Sequence, residues 1–577
     1  MKLIARYLRP YLKRISFGMS IKFLGTVAEL LLPWMLTWVL KEVVPRVPAE
    51  GRGLIWFWGA LMLLCSLAVL VFNVLANRTA ASVARDSTRQ LRHDLFDKIT
   101  RLTSRETDRF TVPSLISRMT TDTYYVYRMT GMLQRIGIRA PILIIGGVII
   151  TMLQDSALSS LLLVLLPFMG LGVWLISKKG VPLYNSVQKK TDTLVRIVRE
   201  NLSGARVVRA LNTAGREVRR FDAMNADAAR TETKAASVMA VNGPSMQFLL
   251  NMGLVLIIWL GGHRVQSGLT DSADLIAFLQ YFTIILNAML TVTRVVTMYS
   301  KAVASANRID EVMKAEEESS PDAECAFLKD LPHIEFDHVS FSYNGRRNDA
   351  EDVSFRLMQG ERLGILGPTG AGKTTLIRLL LRLYEADSGS IRVWGQDIRN
   401  IPLDTLRGMF GTVFQNDAVF RGNAGENIRL GRDITDADVM KGMRCAQAEA
   451  FLSEKGGQNA EIQSRARNLS GGQAQRLLLS RALSGHSDIL ILDDATSALD
   501  FKTEAQLRAA LNSEYAGVTT VLIAQRISAV MHCDRILVME DGKMMGFGTH
   551  RELMESCALY KEIARLQLGG DADATES

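Results

Sequence analysis

Six stretches dominated by apolar side chains constrain this chain more than any other feature. Each approaches or exceeds the roughly 20 residues an α-helix needs to cross a bilayer. They fall at about 15–40, 54–77, 132–153, 157–177, 238–262 and 272–298 of the 577 residues. In hydrocarbon every backbone N–H and C=O needs an internal partner, so these stretches are expected as helices. A polar segment, 78–124, separates the second from the third, and another, 178–236, the fourth from the fifth. The remaining connections, 41–53, 154–156 and 263–271, are short. Apolar residues at helical spacing in the second polar segment (Leu194, Val195, Ile197, Val198, then Val207, Val208, Leu211) predict that the spans continue as helices beyond the membrane.

Charge orients the ladder. The formal net charge of +9 would by itself suit a nucleic-acid binder, but its distribution argues against one. Residues 333–577 hold 28 Lys/Arg and 33 Asp/Glu, a balance of −5. Residues 1–332 hold the remaining 40 and 26, a balance of +14. Segments 78–124 and 178–236 carry 9 and 13 Lys/Arg, against 3, 0 and 1 in the three short connections. Cations stay on the cytoplasmic side, so both long segments and both termini are expected inside, in a multi-pass cytoplasmic-membrane protein. The first 14 residues hold five cations and helix-spaced apolar residues, without a small-residue cleavage site. They predict an amphipathic helix at the membrane surface rather than a cleaved signal. Five scattered cysteines form no CxxC pair, which argues against a disulfide framework and a zinc site.

The composition divides the chain into a helical transmembrane domain at 1–300, a linker at 301–332 containing Glu316–Pro321, an α/β domain at 333–568, and an acidic, disordered tail at 569–577. Within the α/β part, Gly367-Pro-Thr-Gly-Ala-Gly-Lys-Thr-Thr375 follows the apolar run Leu363–Leu366 and precedes a helical pattern. Glycines at this spacing let backbone amides curl round phosphates, Lys373 reaches the outer phosphates, and Thr374 supplies a hydroxyl to Mg²⁺. Downstream, Ile489–Asp493 is a buried-strand pattern ending in a carboxylate suited to the same metal. Between them lies Leu469-Ser-Gly-Gly-Gln473.

With that segment the chain resembles the ATP-binding cassette (ABC) family, and Leu469–Gln473 reads as its signature motif. The resemblance covers the whole chain: six spans, long cytoplasmic extensions and one C-terminal cassette look like a half-size exporter. It implies an all-α transmembrane domain followed by an α/β P-loop cassette, an ATP hydrolase coupled to transport, and ATP and Mg²⁺ as cofactors. It further implies that Tyr343 stacks on adenine and that Gly367, Thr369, Gly370, Ala371, Gly372, Lys373, Thr374 and Thr375 hold the phosphates. Thr374, Gln415 and Asp493 would bind Mg²⁺, and Gln415 would link metal and attacking water to the membrane domain. Ser470, Gly471, Gly472, Gln473 and Asp500 would meet the ATP of a partner cassette, since cassettes of this family pair head to tail.

Two positions depart from the family pattern. Where the family places a glutamate that polarises the attacking water stands Asp494, and where it places a switch histidine stands Gln525. Aspartate is one methylene shorter. A displacement of about 1 Å costs on the order of 100-fold in rate, or about 2.7 kcal/mol of barrier. Glutamine still hydrogen-bonds a phosphate but carries neither positive charge nor a shuttled proton. The expectation is a heterodimer with a similar bacterial half-transporter that retains the Glu and His. Its fast site would be completed by this chain's Leu469–Gln473, while this chain's own site holds ATP longer. The transported molecule is expected to be hydrophobic or amphipathic. A homodimeric lipid flippase, a peptide exporter and a nucleotide-gated regulator are the alternatives. Among ionisable residues in the spans, Glu29, Arg139 and Arg294 are candidate substrate contacts, and Lys22 is expected to reach the inner surface. Short transverse helices docking to the cassettes are expected near Arg109–Ser117 and Ser203–Ala210.

Overall fold

The computed structural model describes residues 2–46, 52–322, 327–415 and 417–568, less a few side chains inside the helices. The expected tail, 569–577, lies outside the described residues. The chain forms two compact units, Met1–Thr100 with Thr111–Ala315 and Arg101–Phe110 with Glu316–Ser577.

The first unit is helical: α1 (Lys2–Leu8), α2 (Leu12–Trp38) and α3 (Gly53–Thr100). Helices α5 (Val112–Ser117), α6 (Thr123–Gln154) and α7 (Ser156–Ser203) follow a short α4 (Ser104–Phe110) that belongs to the second unit. Then come α8 (Ala205–Ala210), α9 (Ala214–Ala240), α10 (Asn242–Gln266) and α11 (Ser272–Met313). Among the described residues, five helical stretches are long and apolar enough to cross a membrane: 2–46, 53–100, 112–154, 214–266 and 272–289. A shorter apolar stretch, Ser156–Gly172, occupies the place of the fourth expected span. Helices α2 and α3 approach closely at glycines, because a Cβ on Gly25 would lie 2.9 Å from Phe72 Cβ. Leu30, Ala140, Leu143, Ala277 and Tyr281 join α2, α6 and α11 in one cluster, where the Tyr281 hydroxyl donates to the Leu30 carbonyl at 2.7 Å.

Three expectations change here. The stretch 301–313, expected as linker, is the end of α11. Ala302, Ala306, Ile309 and Val312 are buried at helical spacing, and Ser305 and Arg308 donate to Asp122. Lys22 does not reach the surface: it is 4% exposed and donates to Asn73 at 2.6 Å and Asn77 at 3.4 Å. An internal acceptor is available sooner than the interface, so the side chain stays inside. The short helix that groups with the second unit is α4, mostly earlier than the window 109–117. Thr103 Oγ1 accepts from Glu106 N at 3.3 Å at its start, and Thr111 (φ 62°) with Pro113 ends it. Helix α4 packs within the second unit, where the Tyr384 hydroxyl donates to Asp108 and Arg105 lies 3.9 Å from Asp387.

The second unit is built on strands β1 (Ile334–Phe341), β2 (Ala350–Leu357), β3 (Arg362–Leu366), β4 (Ser388–Val393), β5 (Gln396–Asp397) and β6 (Phe410–Val413). The minor strands β7 (Gly422–Asn423) and β8 (Glu461–Ile462) pair with each other. The last four are β9 (Ile489–Asp493), β10 (Thr519–Ala524), β11 (Arg535–Glu540) and β12 (Lys543–Gly548). Ten of them form one sheet in the order β5-β4-β1-β2-β12-β11-β3-β10-β9-β6. Its β11-β3-β10-β9-β6 portion is parallel. Near-continuous apolar runs such as Ile489–Leu492 are buried on both faces, as parallel strands covered by helices require. Four loops important below leave the same carboxyl edge of four adjacent strands, β3, β10, β9 and β6.

Candidate nucleotide site

The carboxyl edge of a parallel sheet is where open α/β folds hold ligands, and here it forms a cleft. Its walls are Asp349, Thr369–Thr375, Gln415, Asp493, Asp494, Ile523, Ala524 and Gln525. Strand register brings these together, since Asp493 pairs with Ile523 and Leu366 with Ala524. Residues more than 100 positions apart in sequence thereby share one edge.

The loop after β3 is shaped by positions that exclude a side chain. Gly372 has φ +94°, and a Cβ there would lie 2.3 Å from the Asp349 carbonyl; on Gly367 it would lie 2.2 Å from the Met539 carbonyl. The loop opens directly into helix α12 (Lys373–Leu380), whose amino end has no side-chain cap. Its first amides and the positive end of its dipole therefore face the cleft, an arrangement that favours an anion. Lys373 Nζ donates to the Gly367 and Pro368 carbonyls, both at 2.7 Å. Burial lowers its pKa, opposed by the carboxylates of Asp493 and Asp494. Thr374 Oγ1 donates to Asp493 Oδ2 at 2.9 Å. Burial raises the Asp493 pKa against that hydrogen bond, so its carboxylate is ionised at a cost that a cation would offset. This donor set fits a phosphate chain with a divalent cation: a glycine cradle, a helix start, a lysine, a hydroxyl and a buried carboxylate. Bound Mg²⁺ would neutralise phosphate charge from Thr374 and Asp493.

Asp494 adopts a left-handed conformation (φ 52°), uncommon for a residue with a side chain. Its N–H donates to the Ile523 carbonyl at 3.0 Å, and its own carbonyl accepts from Gln475 Nε2 and Ser497 Oγ, both at 2.9 Å. Its Oδ2 lies 3.5 Å from Gln415 Nε2. Gln525 lines the same cleft.

Other expected residues are not among those lining this cleft. Ser470 caps helix α13 (Gly471–Leu483), accepting from Gln473 N at 3.3 Å while Gln473 Oε1 accepts from Ser470 N at 3.1 Å. Gly472 passes close to the next loop, since a Cβ would lie 2.9 Å from the Ala498 carbonyl. Asp500 caps helix α14 (Phe501–Glu514) by accepting from Thr503 N at 2.8 Å, a bond that lowers its pKa. Tyr343 is half-buried beside the cleft, edge-on to Phe341 and Tyr384, and its hydroxyl lies 3.5 Å from Thr375 Oγ1. In the first unit Glu29 and Arg139 hold each other. Arg139 Nε donates to Oε2 at 3.1 Å and Nη2 to Oε1 at 2.5 Å. The Arg294 side chain lies outside the described residues.

Residue-by-residue reading missed Asp349 and Gln475. Asp349 sits in no motif, and only its place at the start of the β2 hairpin brings it to the cleft. Gln475 was discoverable, being two residues beyond the signature and on the same helix.

Residues 15–289 match the family of ABC transporter transmembrane regions, and residues 350–497 match the ABC transporter family of ATP-binding domains. The chain is 33% identical over 568 residues to the uncharacterized ABC transporter ATP-binding protein YfiB of Bacillus subtilis (strain 168), covering 98% of each. It is 29% identical over 578 residues to YknU of the same organism, covering 98% of this chain and 97% of the other. A bacterial Atm1-family ABC exporter solved with ATP bound shares the fold, with a TM-score of 0.82 over 96% of this chain and 99% of that one at 23% identity. The chain belongs to the ABC transporter family. It carries a helical transmembrane domain fused to an α/β ATP-binding cassette, and its ATPase activity is coupled to transport across a membrane.

Proposed function

We propose that this chain is one half of a heterodimeric exporter that moves hydrophobic or amphipathic molecules out across a bacterial cytoplasmic membrane by alternating access. Its own nucleotide site is degenerate. The observation that carries this reading is Asp494 beside Asp493 at the end of β9, in a cleft whose remaining switch position is Gln525. Lys373 and the glycine loop bind the phosphates, Thr374 and Asp493 hold Mg²⁺ with Gln415, and Tyr343 meets adenine. The short carboxylate of Asp494 and the neutral amide of Gln525 leave hydrolysis slow, so ATP stays bound through several cycles. Ser470–Gln473 and Asp500, which are not among the residues lining this chain's own cleft, complete the partner's hydrolytic site, where an intact Glu and His act. ATP binding closes the paired cassettes, and hydrolysis at the partner's site resets them.

The test is purification from native-like membranes through a tag on this chain. A second half-transporter with Glu and His at the two positions should copurify. The chain expressed without it should hydrolyse ATP at a small fraction of the rate of the pair. A homodimer with full exporter-level turnover overturns the heterodimer.

A further inference from the structure

The cleft's second unusual position, Gln525, is held by a residue near the end of the described chain. The C-terminal helix Ala558–Leu568 lays Tyr560 and Ala564 into the same cluster as Ala524 and Ile527, and both are fully buried. Gln567 follows at the next position on that face, i, i+4 and i+7. Its Nε2 donates to the Gln525 carbonyl at 2.9 Å, and its Oε1 accepts from the Ile527 N–H at 2.8 Å. One amide group thus brackets the peptide units on both sides of Arg526. Only a primary amide can give and accept at once in this way, with nitrogen on the carbonyl and oxygen on the N–H. The loop after β9 is treated alike: Gln475 Nε2 donates to the Asp494 carbonyl and its Oε1 accepts from Ala498 N at 3.0 Å. Both loops that depart from the family pattern are therefore fixed by glutamine side chains from helices outside the cleft.

We propose that Gln567 is a positioning residue for the ATP site: its amide sets the backbone from which Gln525 reaches the bound phosphate. This rests on the reading of Gln525 as a phosphate-facing group. Gln567 touches no nucleotide and acts only through residue 525. Its side chain is exposed, so its replacement leaves the fold intact.

The readout is ATP retained on this chain, measured by photolabelling with radioactive 8-azido-ATP and Mg²⁺ in the transporter purified through this chain. Gln525→Ala removes one hydrogen bond to a charged phosphate and should release the nucleotide on the order of 10-fold faster. Gln567→Ala should do the same, and the double variant should be no worse than either, because both act on one contact. Gln567→Glu keeps the acceptor for Ile527 N but loses the donor to Gln525, and should behave as Gln567→Ala. Melting temperatures should stay at the parent value. Release at the parent rate in Gln567→Ala or Gln567→Glu, with Gln525→Ala fast, overturns the positioning role alone. So does an additive double variant. An unchanged Gln525→Ala overturns the reading of the site beneath it as well.

Discussion

At the scale of single residues, the proposed site divides groups that would bind nucleotide from groups that would act on it. Gly372 is required by geometry, because its φ of +94° and a Cβ position 2.3 Å from a carbonyl leave no room for a side chain. Gly372→Ala should abolish ATP binding and destabilise the cassette by at least about 1–3 kcal/mol, read by nucleotide titration and thermal melting. Asp494→Glu restores the missing methylene and should raise hydrolysis at this chain's site by about 10- to 100-fold, measured as single-turnover cleavage of ATP bound to this chain. Unchanged turnover there would mean that carboxylate reach is not what limits the site. The glycine loop with Lys373 and Thr374 was legible from its spacing, whereas Tyr343, Gln415, Asp494, Gln525 and Asp500 were read only through the family resemblance. Asp349 and Gln567 were legible in neither way, because nothing in their local sequence distinguishes them from other surface residues.

At the scale of elements, charge pairing inside the helical unit ties two candidate substrate contacts together. Glu29 and Arg139, both expected as substrate contacts, form a two-point ion pair joining α2 to α6. Glu29→Gln should lower the thermal stability of the detergent-solubilised protein, by about 1–3 kcal/mol. The charge-swapped double variant, Glu29→Arg with Arg139→Glu, should recover part of it. Full stability in the single variant would show the pair to be dispensable. In the cassette, His333 is fully buried, its Nδ1 2.7 Å from Thr519 Oγ1 and its ring stacked on Trp394. Burial lowers its pKa from 6.5 to about 4. The unfolded chain therefore takes up a proton that the folded chain refuses, so this contribution to stability is complete above pH 6.5 and declines as pH falls towards 4. The decline is up to about 1.4 kcal/mol per pH unit. Chemical denaturation of the full chain at pH 7 and pH 5 should show it, and His333→Phe should flatten that part of the profile. Spans and strands were legible because their apolar runs are long and periodic. The position of α4 was not, since its register is set by contacts with the cassette rather than by its own composition.

At the scale of the whole molecule, the chain leaves the first unit at Thr100, contributes 101–110 to the second and returns at Thr111. Asp108→Ala or Tyr384→Phe removes a hydrogen bond that holds α4 there. The expected outcome is ATP hydrolysis within about twofold of the parent with substrate transport reduced several-fold, measured side by side in proteoliposomes. An equal loss of both would make α4 part of the cassette's own stability. The net charge reads differently at this scale too, as a basic membrane half with an acidic cassette. The sequence by itself determined the two domains, the helical ladder, the family and the identity of the phosphate loop, because each rests on local pattern and covalent order. Only the tertiary structure decided which residues meet. The parallel strands β3, β10, β9 and β6 carry Lys373, Gln525, Asp494 and Gln415 to one edge, and two other helices supply Gln475 and Gln567, which hold two of those loops. Contacts of that kind depend on strand order and helix packing, which no local stretch of sequence encodes.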